Sequence, residues 1–320
     1  MEKCIDSLLV GGERVEIIII DDGSTDATGQ IADRYAEKHP DTVRVIHQEN
    51  GGHGEGINQG VSHASGKYFK VVDSDDVLGK DFSAFLDKLE ECEREGGVDL
   101  IVTNYYYVHT DGIGDRSISY KSVLPCGRIF GWSDTKRFKL HQLITIHSST
   151  FRTELMRECS EPLPKHVFYE DNLMVYRVLP KVRRMYYMDV DLYRYWIGRP
   201  DQSVQEAVMK KRYTHQVMVT ERCFSACHLD EVDERMLKKY LRHELFVMFG
   251  ISILNTRLNK TKESDAALVE MWKRCIAFDE KWGKHFRYRT SLALISLPGR
   301  FGQNFAVFIY RFANKIVRFN

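Results

Sequence analysis

Three carboxylates fall within four residues at Asp73-Ser74-Asp75-Asp76, directly after an apolar run at residues 68–72. This run predicts a short buried strand, because β-branched and aromatic residues are bounded by Gly66 and the acidic cluster. Like charges this close repel each other unless a cation or hydrogen bonds compensate them. Oxygen ligands suit Mg²⁺ or Mn²⁺, so the cluster is a candidate metal site. The competing interpretation is a solvated acidic turn that caps the next helix.

A second acidic element lies upstream, where a nearly continuous β-branched run at residues 15–20 ends in Asp21-Asp22-Gly23. Such a run is typical of a strand covered on both faces. The two strands would bring their carboxylates to the carboxyl edge of a parallel sheet, where open α/β sheets bind ligands. The segment 50–60 between them has five glycines that would let the backbone approach a phosphate-bearing ligand. It matches neither the dinucleotide fingerprint nor the P-loop.

In combination, these segments resemble family 2 glycosyltransferases of the GT-A fold. The matching segments are Asp21-Asp22-Gly23-Ser24-Thr25-Asp26, Asn50-Gly51-Gly52 with Asn58 and Gly60, residues 64–68, Asp73-Ser74-Asp75-Asp76, Tyr169-Glu170-Asp171, and Tyr193-Arg194-Tyr195-Trp196 with Gln202-Ser203. The resemblance implies an α/β, Rossmann-like nucleotide-sugar-binding domain. Its sheet would be mixed and mainly parallel, flanked by helices, and a helical C-terminal region would follow.

The resemblance also implies roles for the acidic residues in binding a nucleotide-sugar donor. Asp22, with Asp21 beside it, would lie near the nucleotide base, and Asp73 near the ribose. Asp75 would ligate a divalent cation, Mg²⁺ or Mn²⁺, with Asp76 in support. A cation that bridges the two phosphates stabilises the charge of the departing nucleoside diphosphate.

The base of an inverting transfer would be Asp171, with Glu170 orienting it, because such a reaction needs a carboxylate to accept the proton of the acceptor hydroxyl. Both acids also fit the start of a helix, where negative charge is favourable, and the two interpretations are compatible. Arg199 is a candidate ligand of the leaving diphosphate, with a plain surface arginine as the alternative.

On the acceptor side, Trp196 and His147 are candidates, although for His147 a satisfied core histidine is the favoured interpretation. Ile57 replaces an arginine that many relatives carry. In those relatives the arginine, which comes directly before the equivalent of Asn58, can contact the donor. That contact is therefore in question here, and His53 and Lys67 are candidates to replace the arginine.

Composition narrows the class of protein. A net charge of +1 over 320 residues argues against nucleic-acid binding. Seven cysteines without a CxxC pair indicate neither a zinc site nor a disulfide framework. We found no signal peptide and no apolar run long enough to span a membrane, so we expect a cytoplasmic protein.

We expect three regions: a catalytic domain at 1–204, a helical region at 205–280 and a basic tail at 281–320. Helical patterns occupy 205–222, 231–255 and 262–278. In the resembling family a first strand precedes the helix that contains Cys4 and Leu8, so we expect that strand to be missing before Met1.

The tail carries eight basic residues and no acidic one. At 100° per residue its apolar residues share one helical face and its basic residues share an adjoining face. The apolar set is Phe301, Phe305, Phe308, Ile309, Phe312, Ile316 and Phe319; the basic set is Arg300, Arg311, Lys315 and Arg318. This pattern predicts an interfacial helix on an anionic membrane, at the inner face of the plasma membrane. A helix packed on the globular part, or a dimer contact, is the alternative.

The sequence therefore predicts a metal-dependent inverting glycosyltransferase. It would move a sugar from a UDP-sugar, or from another nucleotide sugar, to a hydroxyl of a saccharide or lipid-linked acceptor in envelope polysaccharide synthesis. A non-catalytic nucleotide-sugar-binding relative is the alternative. A nucleotidyltransferase would need a basic, glycine-rich triphosphate loop, which the sequence lacks. The sugar, the acceptor, the linkage and the oligomeric state are not encoded in any pattern that we could read.

Overall fold

The computed structural model describes residues 1–109, 114–159, 161–197, 206–297 and 299–317, apart from the side chains at 300, 301 and 312–317. The chain divides into two compact units. The first consists of Met1–Lys136 and Ile144–Ile197, and the second of Arg137–Leu143 and Gly198–Asn320.

The first unit is an α/β structure, as predicted. Its strands are β1 (Ile17–Asp21), β2 (Val43–His47), β3 (Tyr68–Phe69), β4 (Val77–Leu78), β5 (Leu100–His109), β6 (Arg116–Ile118), β7 (Ile129–Phe130), β8 (Ser149–Arg152) and β9 (Met185–Ile197). Its helices are α1 (Glu2–Leu9), α2 (Thr28–Lys38), α3 (His53–His63), α4 (Phe82–Arg94), α5 (Thr153–Arg157) and α6 (Glu170–Val178).

The strands of the described residues form two sheets. β1 and β2 pair in parallel as a two-stranded sheet, and the second sheet has the order β3-β8-β5-β9-β4, with β6 on β5 and β7 on β9. β5 and β9 form a long parallel pair. The short strands β3, β4, β6, β7 and β8 pair antiparallel, so the sheet is mixed but less parallel than expected.

The predicted strand at 68–72 forms only in part. Tyr68 and Phe69 pair with β8, whereas residues 70–72 do not form a strand. A cavity of about 950 Å³ lies beside this segment and is lined by the β1 residues Ile17 to Ile20, by residues 68–72 and by Ile5 of α1. Asp22, His53, Asp73 and Asp75 line the same cavity. The carboxyl ends of β1 and of the 68–72 segment therefore border one space, but they belong to two different sheets and not to one parallel sheet as predicted.

The second unit is helical. Its helices are α7 (Glu206–Lys211), α8 (Tyr213–Ser225), α9 (Arg235–Asn259), α10 (Lys262–Phe278), α11 (Glu280–Arg289), α12 (Leu292–Ile295) and α13 (Gly299–Val317). Side chains cap the start of α9, where Glu234 accepts from the Leu237 amide, and of α10, where Thr261 accepts from Ser264. Trp272 stacks on Phe249 in the core of this unit. Among the described residues no helix is both long and apolar enough to cross a bilayer.

Candidate active site

Asp22, directly after β1, holds the glycine-rich segment in place. Its carboxylate accepts hydrogen bonds from the amides of Gly51 (2.7 Å) and Gly52 (2.8 Å) and from Gln48 Nε2 (2.6 Å). Partial burial opposes the charged form, but these bonds lower the pKa of Asp22 overall. Gly52 has a φ of 83°, which favours glycine. The predicted donor residue thus also fixes the start of α3.

Asp21 connects β1 to β2. It accepts hydrogen bonds from the Ser24 amide (3.1 Å) and pairs with His47 Nδ1 (2.8 Å), its neighbour in the β1–β2 register. The bonds from Ser24 and His47 lower the pKa of Asp21. These contacts give Asp21 a structural role, and its role in donor binding stays a prediction.

Asp76 is the most deeply buried member of the acidic cluster, with no exposed surface. It accepts hydrogen bonds from the Tyr193 hydroxyl (2.7 Å) and the Trp196 amide (2.8 Å). Burial raises the pKa of Asp76 to about 7, and the charges of Asp73 and Asp75 contribute in the same direction. A buried carboxyl beside two others is an environment that a cation would stabilise.

Asp73 faces two histidines. Its carboxylate lies 3.2 Å from His53 Nε2 and 3.6 Å from His147 Nε2. Burial opposes its charged form, but the interactions with His147 and His53 hold the pKa of Asp73 well below its usual value. One ligand atom each from Asp73, Asp76 and His147 can lie within 4.8 Å of one another. The described residues therefore offer a candidate metal-ligand set that includes the predicted Asp76 together with Asp73 and His147, and the assignment of Asp75 as a metal ligand stays a prediction.

This ligand set is chemically suited to a divalent cation. Two carboxylates supply hard oxygen ligands, as Mg²⁺ and Mn²⁺ require, and the carboxylate oxygens retain lone pairs beyond the hydrogen bonds that they accept. The imidazole nitrogen favours Mn²⁺, a transition metal, over Mg²⁺. Asp75 is partly exposed at the cavity, where it could join the set.

His53, the first residue of α3, joins the acidic cluster to the predicted base motif. Its Nδ1 lies 2.7 Å from Glu170 Oε1 and its Nε2 3.2 Å from Asp73 Oδ1. Burial opposes the charged ring, but the two carboxylates raise the pKa of His53 well above its usual value. An imidazolium can donate to both carboxylates at once. Next to it, Gly54 leaves no room for a side chain, since a Cβ there would lie 2.8 Å from Glu170 Cγ.

Glu170 and Asp171 begin α6, after Tyr169 in a left-handed conformation (φ 71°). Glu170 is 2% exposed and is committed to His53. Burial, together with the neighbouring Glu170, raises the pKa of Asp171. A carboxylate with a raised pKa is a stronger proton acceptor near neutral pH, which suits a general base.

The acceptor candidates lie on the aromatic side of the cluster. His147 stacks on Tyr195 with ring centroids 4.4 Å apart and meets Tyr193 edge-on at 4.9 Å. It is thus largely enclosed, as the core interpretation expected, yet its Nε2 points to Asp73. Trp196 is 37% exposed, and its amide binds Asp76. Arg199 lies outside the described residues.

Sequence reasoning missed Lys70 and understated His53. Lys70 Nζ donates to the carbonyl oxygens of His147 (2.8 Å) and Ser149 (3.2 Å), and burial lowers the pKa of Lys70 to about 7. A lysine within an otherwise apolar strand run was the available signal for the first residue. A histidine between two glycines was the signal for the second.

Comparisons with known proteins identify the family of this chain. Residues 1–153 match the family described as glycosyl transferase family 2. EpsH of Bacillus subtilis (strain 168), which is named "Putative glycosyltransferase EpsH", is 30% identical in an alignment 269 residues long that covers 79% of this chain and 70% of EpsH. The chain spans 36%, 56% and 29% of the lengths of three other curated relatives.

Two solved structures show the same fold. Staphylococcus aureus TarS 1–349 in complex with UDP-GlcNAc has a TM-score of 0.68 at 18% identity, covering 98% of this chain and 88% of that TarS fragment. A mannosyltransferase of Pyrobaculum calidifontis in complex with GDP-Man and Mn²⁺ has a TM-score of 0.53 at 15% identity, covering 92% and 82%. These likenesses confirm the predicted GT-A fold.

Proposed function

Because this chain is a member of glycosyl transferase family 2, we propose that it is a metal-dependent inverting transferase that uses a UDP-sugar. The sugar passes to a hydroxyl of a saccharide or lipid-linked saccharide in envelope polysaccharide synthesis, at the inner face of the plasma membrane. One observation carries the proposal: His53 contacts both Asp73 and Glu170. The donor-side and base-side motifs, far apart in sequence, therefore lie next to each other, which supports a single shared site.

The cavity runs between β1 and the 68–72 segment, and the end of it at their carboxyl termini supports donor binding. Asp22 and Asp73 line it, and so do Gly52 and His53 at the start of α3, where a helix N-terminus favours a phosphate. The TarS neighbour was solved with UDP-GlcNAc, which makes a UDP-sugar the first donor to test.

The ligand set of Asp73, Asp76 and His147, with Asp75 at its edge, supports metal dependence. A divalent cation there would offset the negative charge of the donor diphosphate. The mannosyltransferase neighbour was solved with Mn²⁺, in line with a mixed carboxylate and imidazole set.

Asp171 is the proton acceptor in this proposal. The acceptor oxygen attacks the anomeric carbon and gives its proton to the Asp171 carboxylate. The bond between that carbon and the diphosphate oxygen breaks, and its electron pair leaves with the nucleoside diphosphate. Glu170 stays bound to His53 and holds the start of α6 in position. Arg199 remains a proposed ligand of the leaving diphosphate, and Trp196 a proposed surface for the acceptor.

A donor panel tests the proposal without knowledge of the acceptor. The full chain is incubated with UDP- and GDP-sugars in the presence of Mn²⁺, and the release of nucleoside diphosphate is measured with and without EDTA. We expect release from a UDP-sugar that EDTA abolishes, that Asp75→Asn lowers strongly, and that Asp41→Asn, at an exposed loop position, leaves unchanged. EDTA-insensitive release would contradict metal dependence. The absence of release from every donor, together with retained donor binding, would favour a non-catalytic binding protein.

A further inference from the structure

Helix α13 packs on its own unit through one face and exposes another apolar face. Val307 and Tyr310 form a buried cluster with Leu258 of α9. On the other side, Phe308 is 62% exposed and Ile309 36% exposed. At 100° per residue these two residues point roughly opposite to the packed face.

The apolar helical face predicted from the sequence, to which Phe308 and Ile309 belong, is therefore the exposed face of α13 and not the face that packs on the protein. Phe305, which is half-buried, lies one turn before Phe308 and Ile309 on the same side. The sequence continues this phase at Phe301, Phe312 and Ile316, whose side chains are outside the described residues. An exposed apolar face beside basic residues is typical of a helix that binds a membrane or another protein.

Charge indicates what that partner is. From residue 281 to the end of the sequence there are eight basic residues and no acidic one. Arg311 is exposed and lies three residues after Phe308, so the two side chains are neighbours on the helix. Lys281 and Lys284 pair with Asp230 and Glu280, respectively. Within the described part of the chain, neither Arg311 nor the exposed Arg289 forms an ion pair with a carboxylate. A single sign of charge beside phenylalanines complements an anionic lipid surface.

We propose that the face of α13 formed by Phe305, Phe308 and Ile309, flanked by Arg311, docks on an anionic membrane. The aromatic and aliphatic side chains enter the boundary between headgroups and acyl chains, and the arginine binds lipid phosphates. This inference identifies the surface by which the proposed transferase would reach a lipid-linked acceptor. Vesicle binding is measured without donor or acceptor, so its failure is distinguishable from failure of the proposed function.

The test is co-sedimentation of the full chain with phosphatidylcholine vesicles that contain or lack phosphatidylglycerol. We expect binding to the anionic vesicles only, weakened by added salt. Phe308→Glu should lower the partition constant at least about tenfold, because it removes the aromatic ring that would enter the membrane and adds a negative charge that the anionic lipids repel. Arg311→Gln should lower it about fivefold. The matched control Val269→Glu, at a 47% exposed apolar position on α10, should bind like the wild type.

Equal binding of Phe308→Glu and the wild type to anionic vesicles would overturn the proposal, as would the absence of wild-type binding. A wild-type dimer that Phe308→Glu converts to monomer, without vesicle binding, would instead assign the face to a second copy of the chain. Phe308 is exposed, so the variant should melt like the wild type. If it does not, Ile309→Glu replaces it in the same comparison.

Discussion

Removal of the His53 ring should weaken the first unit measurably. His53→Ala deletes the contacts of 2.7 Å to Glu170 and 3.2 Å to Asp73 and leaves Glu170, which is 2% exposed, without this donor. Loss of a charged hydrogen-bond partner from a buried group costs about 1–3 kcal/mol. The His53 side chain is 47% exposed, so we take about 2 kcal/mol as the expected loss in unfolding free energy. For a unit of this size that corresponds to a fall in Tm of about 4–8 °C.

The assay is thermal unfolding at pH 6.5, in a buffer without divalent cations, followed by near-ultraviolet circular dichroism. His63→Ala is the matched control, because it makes the same substitution at the exposed end of the same helix and has the same effect on helix propensity. We expect the control to melt within about 1 °C of the wild type. Equal Tm values for the two variants would refute the view that His53 holds α3, α6 and the acidic cluster together.

Three further outcomes follow from the same contacts. Gly54→Ala should destabilise the protein by about 1–3 kcal/mol, because the new Cβ would lie 2.8 Å from Glu170 Cγ. Gly56→Ala is the control and should be tolerated, because its Cβ would lie 3.8 Å from Ile20 Cγ2. Equal denaturation midpoints for the two variants would contradict the crowding at Gly54. Burial lowers the pKa of Lys70 to about 7, so between pH 7 and 9 the unfolded chain binds more protons at this residue than the folded chain does. As the pH rises from 7 to 9, the free energy of unfolding of the wild type should therefore increase by up to about 2 kcal/mol relative to Lys70→Met. Parallel pH profiles of the two proteins in urea denaturation would show that Lys70 is not buried as described. Hydrogen bonds to Asp21 and Asp33 raise the pKa of the exposed His47, so its contribution to stability is present below about pH 6.5 and is lost at higher pH. The difference in Tm between the wild type and His47→Gln should therefore shrink as the pH rises. A difference that grows with pH would refute the pairing of His47 with the two aspartates.

Local patterns predicted the elements that carry the motifs. Composition and periodicity over a few turns predicted the strand β1, the start of a helix at Glu170, and the helices α9, α10 and α13. The helix predicted at 205–222 is two helices, α7 and α8, and the helices α11 and α12 were not predicted. The run at 68–72 was predicted as one strand, but only Tyr68 and Phe69 pair, because ladder formation depends on a neighbouring strand and not on the run alone.

Contacts between distant segments could not be predicted in this way. His53 and Glu170 are 117 residues apart, and Lys70 and His147 are 77 apart. Nothing in either local sequence encodes the partner. The same holds for α13, where periodicity identified an apolar stripe but could not tell whether Val307 or Phe308 faces the protein. Tertiary packing decides such choices, and it also brought His147 into the candidate metal-ligand set.

The most direct test of the central claim compares Asp171→Asn with Asp41→Asn, an exposed carboxylate in a loop, in a transfer assay with an acceptor extract and the donor found in the panel. Donor affinity is measured in parallel by calorimetry. If Asp171 accepts the proton of the acceptor hydroxyl, Asp171→Asn should lower the transfer rate by about 10²–10⁴-fold and leave donor affinity within about twofold of the wild type. Transfer by Asp171→Asn at the rate of Asp41→Asn would contradict the account.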